Sequence, residues 1–292
     1  MDVVLLFNGL GNQMSQYAFY LSKRKQTQNC IAMFDRSSRN NHNGYELANV
    51  FGIECVSGLK YICLYAFLLV HDHPKLRWLR WMCGIFGVRI VNEARNYDFN
   101  EAHLKPSSDG GINFYRGGWH SEKNFINIKS EIQSVFKFPP IDDEKCLTVM
   151  SEICNSHESV SLHVRRGDYI NTNPNDYYQF GGVATLDYYK RAVEWMKNRL
   201  GNCTFFIFSN DLEWCKIEFK ELDAFYVDCN NGLNSWRDMY LMTLCKNHIN
   251  ANSTFSWWGA WLSRQEGITI CPKEFIHNVE TKDFYPENWI KL

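Results

Sequence analysis

The chain has 292 residues, 45% hydrophobic, 15% aromatic and 22% charged, which is ample for a buried core and unlike a disordered chain. Thirty-one basic against thirty-two acidic residues leave a net charge of −1, so no global positive field advertises nucleic acid as a partner. Eleven cysteines, an odd number without a CxxC pair, exclude a complete disulfide framework and fit reduced thiols packed as small hydrophobes.

Residues 3–7 form a wholly apolar run, the pattern of a strand buried on both faces. NGLGNQ follows at 8–13, and then Met14, Tyr17, Ala18 and Leu21 at helical spacing. Strand, glycine turn and helix open an α/β domain. The first residues carry no basic leader before a long apolar run, so no secretory signal is expected. RSSRNNHNG at 36–44 reads as a loop, 59–70 as a helix, VRIVN and INFYRG as strand pieces, and 121–136 as a helix. PPIDDEK, at 139–145, resembles a domain boundary because two prolines interrupt regular structure. The longest apolar stretch, 62–70, falls short of the ~20 residues of a membrane span. A cytoplasmic protein is therefore expected. The aromatic and basic LRWLRWMCG at 76–84 reads either as a buried helix face or as a peripheral membrane contact.

Beyond the prolines the alternation is clearer. Strands are expected at 159–164, 204–209 and 224–228, with helices at 186–200, 213–219 and 236–245. HINAN then gives a short strand, 254–262 a helix and GITICP a last strand. The rhythm predicts an α/β fold with a parallel, nucleotide-type sheet. No internal repeat at solenoid spacing is present.

The most informative segment is SLHVRRGDYI. A buried strand ends in His163, Arg165, Arg166 and Asp168, just past its carboxyl end, where open α/β sheets bind ligands. A guanidinium fork holds a diphosphate in bidentate fashion and neutralises a leaving group without a metal. Gly167 allows a close turn, and Asp168 either orients an arginine or serves in a structural Arg–Asp network. A second candidate starts at Ser253, Thr254 and Phe255 after HINAN, where a hydroxyl and free backbone donors at a helix start suit a phosphate or simply cap the helix. Asn210 and Asp211 follow another strand, Asp228 a third, and each fits a nucleotide contact or a local cap equally well. Gly9, Gly11 and Asn12 bring backbone donors to a strand–helix junction but do not complete GxGxxG. No P-loop, HExxH, GxSxG or strand-end DxD is present. Asp142 and Asp143 fall in a polar boundary stretch, and His71-Asp72-His73 is not a recognisable metal site, so no metal is expected.

LLFNGLGNQMSQYAFY, HVRRGDY, LMTLCKNHINANSTFSWWGAWL and the closing ITICPKEF together closely resemble the α-1,2-fucosyltransferases of the bacterial-type glycosyltransferase family 11, over nearly the whole chain. The resemblance implies a GT-B-like fold, two Rossmann-like domains with a cleft between them. Residues 1–140 would form the N-terminal, acceptor-side domain and 141–292 the C-terminal GDP-fucose-binding domain. It places His163, Arg165, Arg166 and Asp168 in the donor-site motif, Ser253, Thr254 and Phe255 in a second donor-side motif, and Gly9, Gly11, Asn12 and Gln13 in the N-terminal loop. Two departures stand out: Asn8 where the family commonly has glycine, and Ser15 where it has phenylalanine. Residues 36–119 are where acceptor choice is expected to diverge.

The implied reaction moves L-fucose from GDP-β-L-fucose, with inversion, to the 2-hydroxyl of a galactose-terminated glycan. Arginine would stabilise the departing diphosphate. Asp168 is the nearest motif carboxylate to act as base, with His163 orienting the donor. GDP-fucose is then a substrate, and no cofactor is expected. Another linkage, a protein acceptor, or a noncatalytic sugar-nucleotide-binding protein are the alternatives. The implied setting is surface-polysaccharide or O-antigen assembly at the cytoplasmic side of a bacterial inner membrane. The sequons at Asn202 and Asn252 are expected to stay unmodified.

Overall fold

Asp2–Leu6 (β1) is buried along its whole length, as its unbroken apolar sequence requires of a central strand. It belongs to the first of two units, Met1–Lys137 and Phe138–Leu292, in a computed structural model that describes residues 1–40, 42–107, 110–170 and 179–292, without the side chain of Asp168.

In the first unit β1 is followed by a helix, Leu10–Gln26 (α1), and a strand, Cys30–Phe34 (β2). Helices Glu46–Phe51 (α2), Gly58–Asp72 (α3) and Arg80–Ile85 (α4) precede strands Val88–Asn92 (β3) and Ile112–Arg116 (β4), and Lys129–Val135 (α5) closes the unit. The four strands are all parallel, in the order β2-β1-β4-β3. One sheet face carries Val3, Leu5, Met33 and Phe114 against Tyr61, Leu64 and Leu68 of α3. The expected helix over 121–136 is reduced to two 3-10 turns and α5, because Phe125, at φ −147°, breaks the spiral and turns its ring into the core.

The second unit opens with Glu144–Asn155 (α6) and Ser159–Val164 (β5), then Gly167–Ile170 (α7), Leu186–Leu200 (α8) and Thr204–Ser209 (β6). Leu212–Glu218 (α9), Ala224–Tyr226 (β7), Trp236–Leu244 (α10), Asn247–Ile249 (β8), Thr254–Trp261 (α11), Thr269–Cys271 (β9) and Ile290–Lys291 (β10) complete it. Its six parallel strands lie in the order β10-β9-β8-β5-β6-β7. Numbered within the unit this is the 3-2-1-4-5-6 order of a Rossmann sheet. Both faces are covered: Val160, Leu162, Phe205 and Ile207 pack with Tyr188, Ala192 and Met196 of α8. Phe206 and Phe208 turn the other way, against Ile153, Leu241 and Met242 of α6 and α10. That two-residue alternation is the pleat written into an apolar sequence. The expected strand over 224–228 is shorter, although the Val227 amide still donates to the Ile207 carbonyl at 2.9 Å.

Candidate active site

In the Rossmann order the chain winds outward from β5 to β7 on one side and from β8 to β10 on the other, so β5 and β8 flank the topological switch point. Ligands of open α/β sheets bind beyond the carboxyl ends of such a strand pair. Here those ends are Arg165-Arg166-Gly167 after β5 and Asn250 to Ser253 before α11. Ser161 and His248, paired across the two strands, share a hydrogen bond of 2.8 Å beneath the edge.

His163 is buried on the face that turns toward α11, its ring centroid 5.8 Å from that of Phe255. Burial, reinforced by the Arg165 charge, pushes its pKa down to about 3, so the imidazole is neutral at pH 7. Its buried Nδ1 meets no hydrogen-bond partner among the described residues. A neutral ring of that basicity is a poor proton acceptor but a good fixed hydrogen-bonding group.

The two arginines are held differently. Arg166 is tied down: its amide donates to Asn210 Oδ1 at 2.9 Å, its Nε to Asp211 Oδ2 at 3.1 Å, and its guanidinium lies 4.0 Å over the Trp214 ring. Asp211 also caps α9 by accepting from the Trp214 amide at 3.3 Å. Asn210 and Asp211, read as nucleotide contacts or local caps, shape the arginine turn, and Asp211 is also a cap. Arg165 lies 5.5 Å over the ring of Tyr169, whose hydroxyl donates to the Asn252 carbonyl at 3.2 Å and so ties α7 to the loop before α11. Gly167 is dictated by this packing, since a Cβ there would come within 2.4 Å of Asn210 Nδ2. The backbone of Asp168 is in the first turn of α7, while its side chain lies outside the described residues.

On the β8 side Ser253 caps α11, its hydroxyl accepting from the Phe255 amide at 3.3 Å. The helix is buried at Thr254 and from Ser256 onward, anchored by Trp257, Trp258 and Trp261. Sequence reasoning missed two asparagines of HINAN. Asn250 accepts from the Tyr188 hydroxyl through its carbonyl at 2.7 Å, and Asn252 Nδ2 donates to the carbonyls of Phe180 and Phe275 at 2.9 and 3.0 Å. Both are buried, and Asn250 Nδ2 and Asn252 Oδ1 have no hydrogen-bond partner among the described residues. Paired buried amides of this kind call for a partner. Their signal in the sequence was a polar residue at every second position of a strand continuation. Asn252 is too buried to be a glycosylation acceptor in the folded chain.

Two of the expected sets lie on other elements. Asp228 is exposed past β7, two strands from β5, with Lys216 as the cation it influences. Gly9, Gly11 and Asn12 belong to the first unit, at the carboxyl end of β1. There Asn8 has φ +64°, the conformation that makes glycine common at such a place and that asparagine tolerates. Gln13 donates from Nε2 to the carbonyls of Asn8 and Gly44 at 2.6 and 2.7 Å and accepts from the Glu46 amide at 2.9 Å. Ser15, the other departure, is buried and bonds the Gly11 carbonyl at 3.1 Å.

Sequence reasoning also missed Glu93, past the end of β3 in the first unit. It accepts from the amides of Gly118 and Trp119 at 2.7 and 2.8 Å, and burial pushes its pKa up to about 8. The glycine pair of RGGWH was the available signal: Cβ atoms on Gly117 and Gly118 would strike Glu93 and His120.

Asp142 pairs with Arg237 at 3.0 Å and Asp143 caps α6, as solvated boundary residues would. Asp72 is taken by Arg116 rather than by a metal array. Among the described residues, one group of three possible ligands lies within 4.8 Å, Asp143, Cys146 and Cys229. Burial drives Cys146 up to about 12 and raises Cys229 as well, so both thiols stay protonated at pH 7.

A Rossmann-order sheet with paired arginines at one side of its switch point and a capped helix start at the other is the frame of a nucleotide-binding α/β protein. The family profile described as glycosyl transferase family 11 matches residues 92–292. The α-1,2-colitosyltransferase of Escherichia coli is 31% identical over 99% of this chain and 98% of its own length. The O-antigen biosynthesis glycosyltransferase WbnK of Escherichia coli is 31% identical, with 98% of this chain and 99% of that protein covered. The galactoside α-(1,2)-fucosyltransferase 1 of Homo sapiens matches more narrowly, 28% identical over 46% of this chain and 38% of its own. The chain belongs to glycosyltransferase family 11. In fold it is similar to the fucosyltransferase NodZ from Bradyrhizobium, with a TM-score of 0.52, 13% identity, and 88% of this chain and 91% of that one covered.

Proposed function

We propose that this protein is an inverting galactoside α-1,2-fucosyltransferase that uses GDP-β-L-fucose. The observation that carries the reading is the placement of Arg165 and Arg166 on one side of the switch point of a family 11 chain and of the Ser253-capped start of α11 on the other. In this reading the second unit takes the donor and the first supplies acceptor surface, the division of labour of a GT-B enzyme. Arg165 meets the pyrophosphate and stabilises the charge that develops as the glycosidic bond breaks. Arg166, fixed by Asp211 and Trp214, holds the turn in shape. The buried amides of Asn250 and Asn252 and the neutral imidazole of His163 offer hydrogen bonds to the nucleotide sugar. Asp168 is assigned as the group that takes the proton from the acceptor 2-hydroxyl, and Asp168→Asn should lower kcat while donor affinity stays close to that of the wild type.

A second donor has a specific observation behind it, because a relative aligned over almost the whole chain is named a colitosyltransferase. Colitose lacks one hydroxyl of fucose, and a site that hydrogen-bonds that hydroxyl discriminates strongly against its absence. GDP release from GDP-fucose and from GDP-colitose, each with and without N-acetyllactosamine, separates the two. Faster acceptor-dependent release from GDP-colitose would overturn the fucose assignment.

A further inference from the structure

The outer surface of α3 and α4 is apolar where the surface of a water-facing helix is ordinarily polar. α3 buries Tyr61, Leu64 and Leu68 on the sheet, yet carries a second apolar stripe facing away, with Leu59 80% and Ile62 60% exposed. The turn Pro74–Leu79 and α4 continue it with Trp78, Trp81 and Ile85, which are 72%, 62% and 70% exposed, and α4 buries only Cys83. The rings of Phe67 in α3 and Phe86 beyond α4 are 5.2 Å apart, so the two helices present neighbouring surfaces. Exposed apolar patches of this kind mark interaction sites.

Charge says what lies against it. Between residues 58 and 91 the sequence has five lysines and arginines, Lys60, Lys75, Arg77, Arg80 and Arg89, and one acid, Asp72. All five cations are exposed, and Asp72 is paired with Arg116. A chain of net charge −1 thus places a local excess of positive charge in the same segment as these exposed apolar side chains. Like charge opposes a second copy of the same face. Tryptophans alternating with arginines fit a bilayer interface, where indole rings sit among headgroups and basic side chains reach anionic phosphates. No helix among the described residues is long and apolar enough to cross a membrane, so the contact lies in the plane of the surface.

We propose that α3, the Pro74–Leu79 turn and α4 form a docking surface for an anionic phospholipid bilayer. The test is flotation of the full chain with vesicles of mixed phosphatidylethanolamine and phosphatidylglycerol, and with pure phosphatidylcholine, at physiological and high salt. The wild type should float with the anionic vesicles, lose most of that binding at high salt, and stay behind with phosphatidylcholine. Arg77→Glu with Arg80→Glu should lower partitioning by at least about tenfold, given roughly fivefold for each basic residue near the surface. Trp78→Ser with Trp81→Ser should lower it similarly, and both variants should stay folded with a melting temperature within a few degrees of the wild type, because all four side chains are exposed and the only bond lost among the described residues is an exposed one from Arg80 to the His71 carbonyl, worth about 1 kcal/mol. Failure of the wild type to float, equal binding to phosphatidylcholine, or full flotation of either variant would overturn the proposal. So would a self-associating chain whose dimer is lost in the tryptophan variant without any flotation.

Discussion

Gly167→Ala probes how tightly the arginine turn is held. The new Cβ would fall 2.4 Å from Asn210 Nδ2, about 1 Å inside normal contact, and the Asn210 Oδ1 of the same amide accepts the Arg166 amide at 2.9 Å. Relieving the clash means moving Asn210 and giving up that bond. Overpacking costs about 1–3 kcal/mol and a lost hydrogen bond about 1 kcal/mol, so a loss of ~2–3 kcal/mol is expected. In a chain of this size that is a drop in Tm of roughly 4–10 °C. A displacement near 1 Å at the arginines should also lower kcat/KM on the order of 10²-fold. The decisive comparison is a double-mutant cycle with Asn210→Ala, read by thermal melting and by GDP release. Asn210→Ala opens the space, so the double variant should be less damaged than the sum of the two singles, with a coupling of about 1–2 kcal/mol. Wild-type melting and turnover in Gly167→Ala, or strictly additive effects, would refute the packing argument.

Three further outcomes follow from the same geometry. Arg165→Ala should lower kcat/KM for the donor about 10²–10³-fold, and Arg166→Ala should lower Tm as well, because it strips the partner from Asp211 and Trp214; a wild-type Tm in Arg166→Ala would contradict its restraint of the turn. Burial raises the Glu93 pKa from 4.5 to about 8, so the stability this group contributes is complete below pH 4.5 and is lost as pH rises through 8. Glu93→Gln should remove that fall, about 5 kcal/mol at its upper limit, and chemical denaturation of both proteins from pH 5 to 9 would show parallel curves if the reasoning is wrong. EDTA should leave sugar transfer intact, and a loss of activity restored by Mg²⁺ or Mn²⁺ would contradict charge stabilisation by arginine alone.

What was legible in the sequence was set by strong, local pattern. The strands at 159–164 and 204–209 and the helix at 186–200 match the structure residue for residue, because a strand buried on both faces leaves an unbroken apolar run and α8 has a clear apolar stripe. β2 went unread, a five-residue strand inside a polar surrounding, and so did α6, whose buried contacts are reduced to Cys146 and Ile153. Non-local placement was also invisible. Lys23 is fully buried because Asp2 meets it at 3.0 Å and because the carbonyls of His103 and Lys105, 80 and 82 residues further along the chain, accept from it at 2.9 Å. At the site, HVRRGDY gave the basic strand end but not how Arg166 is held, a fact carried by Asp211 and Trp214 from another element. The NGLGNQ loop reads as a ligand contact or a tight turn, and the tie that its Gln13 makes to the Asn8 and Gly44 carbonyls was not legible.

The most direct test of the central claim is a time course of GDP release from GDP-β-L-fucose with and without lactose or N-acetyllactosamine, followed by linkage analysis of the product. The expected result is acceptor-dependent release and a product in which α-L-fucose is joined to the 2-hydroxyl of galactose. Transfer to any other hydroxyl, or a preference for a different nucleotide sugar, would contradict it.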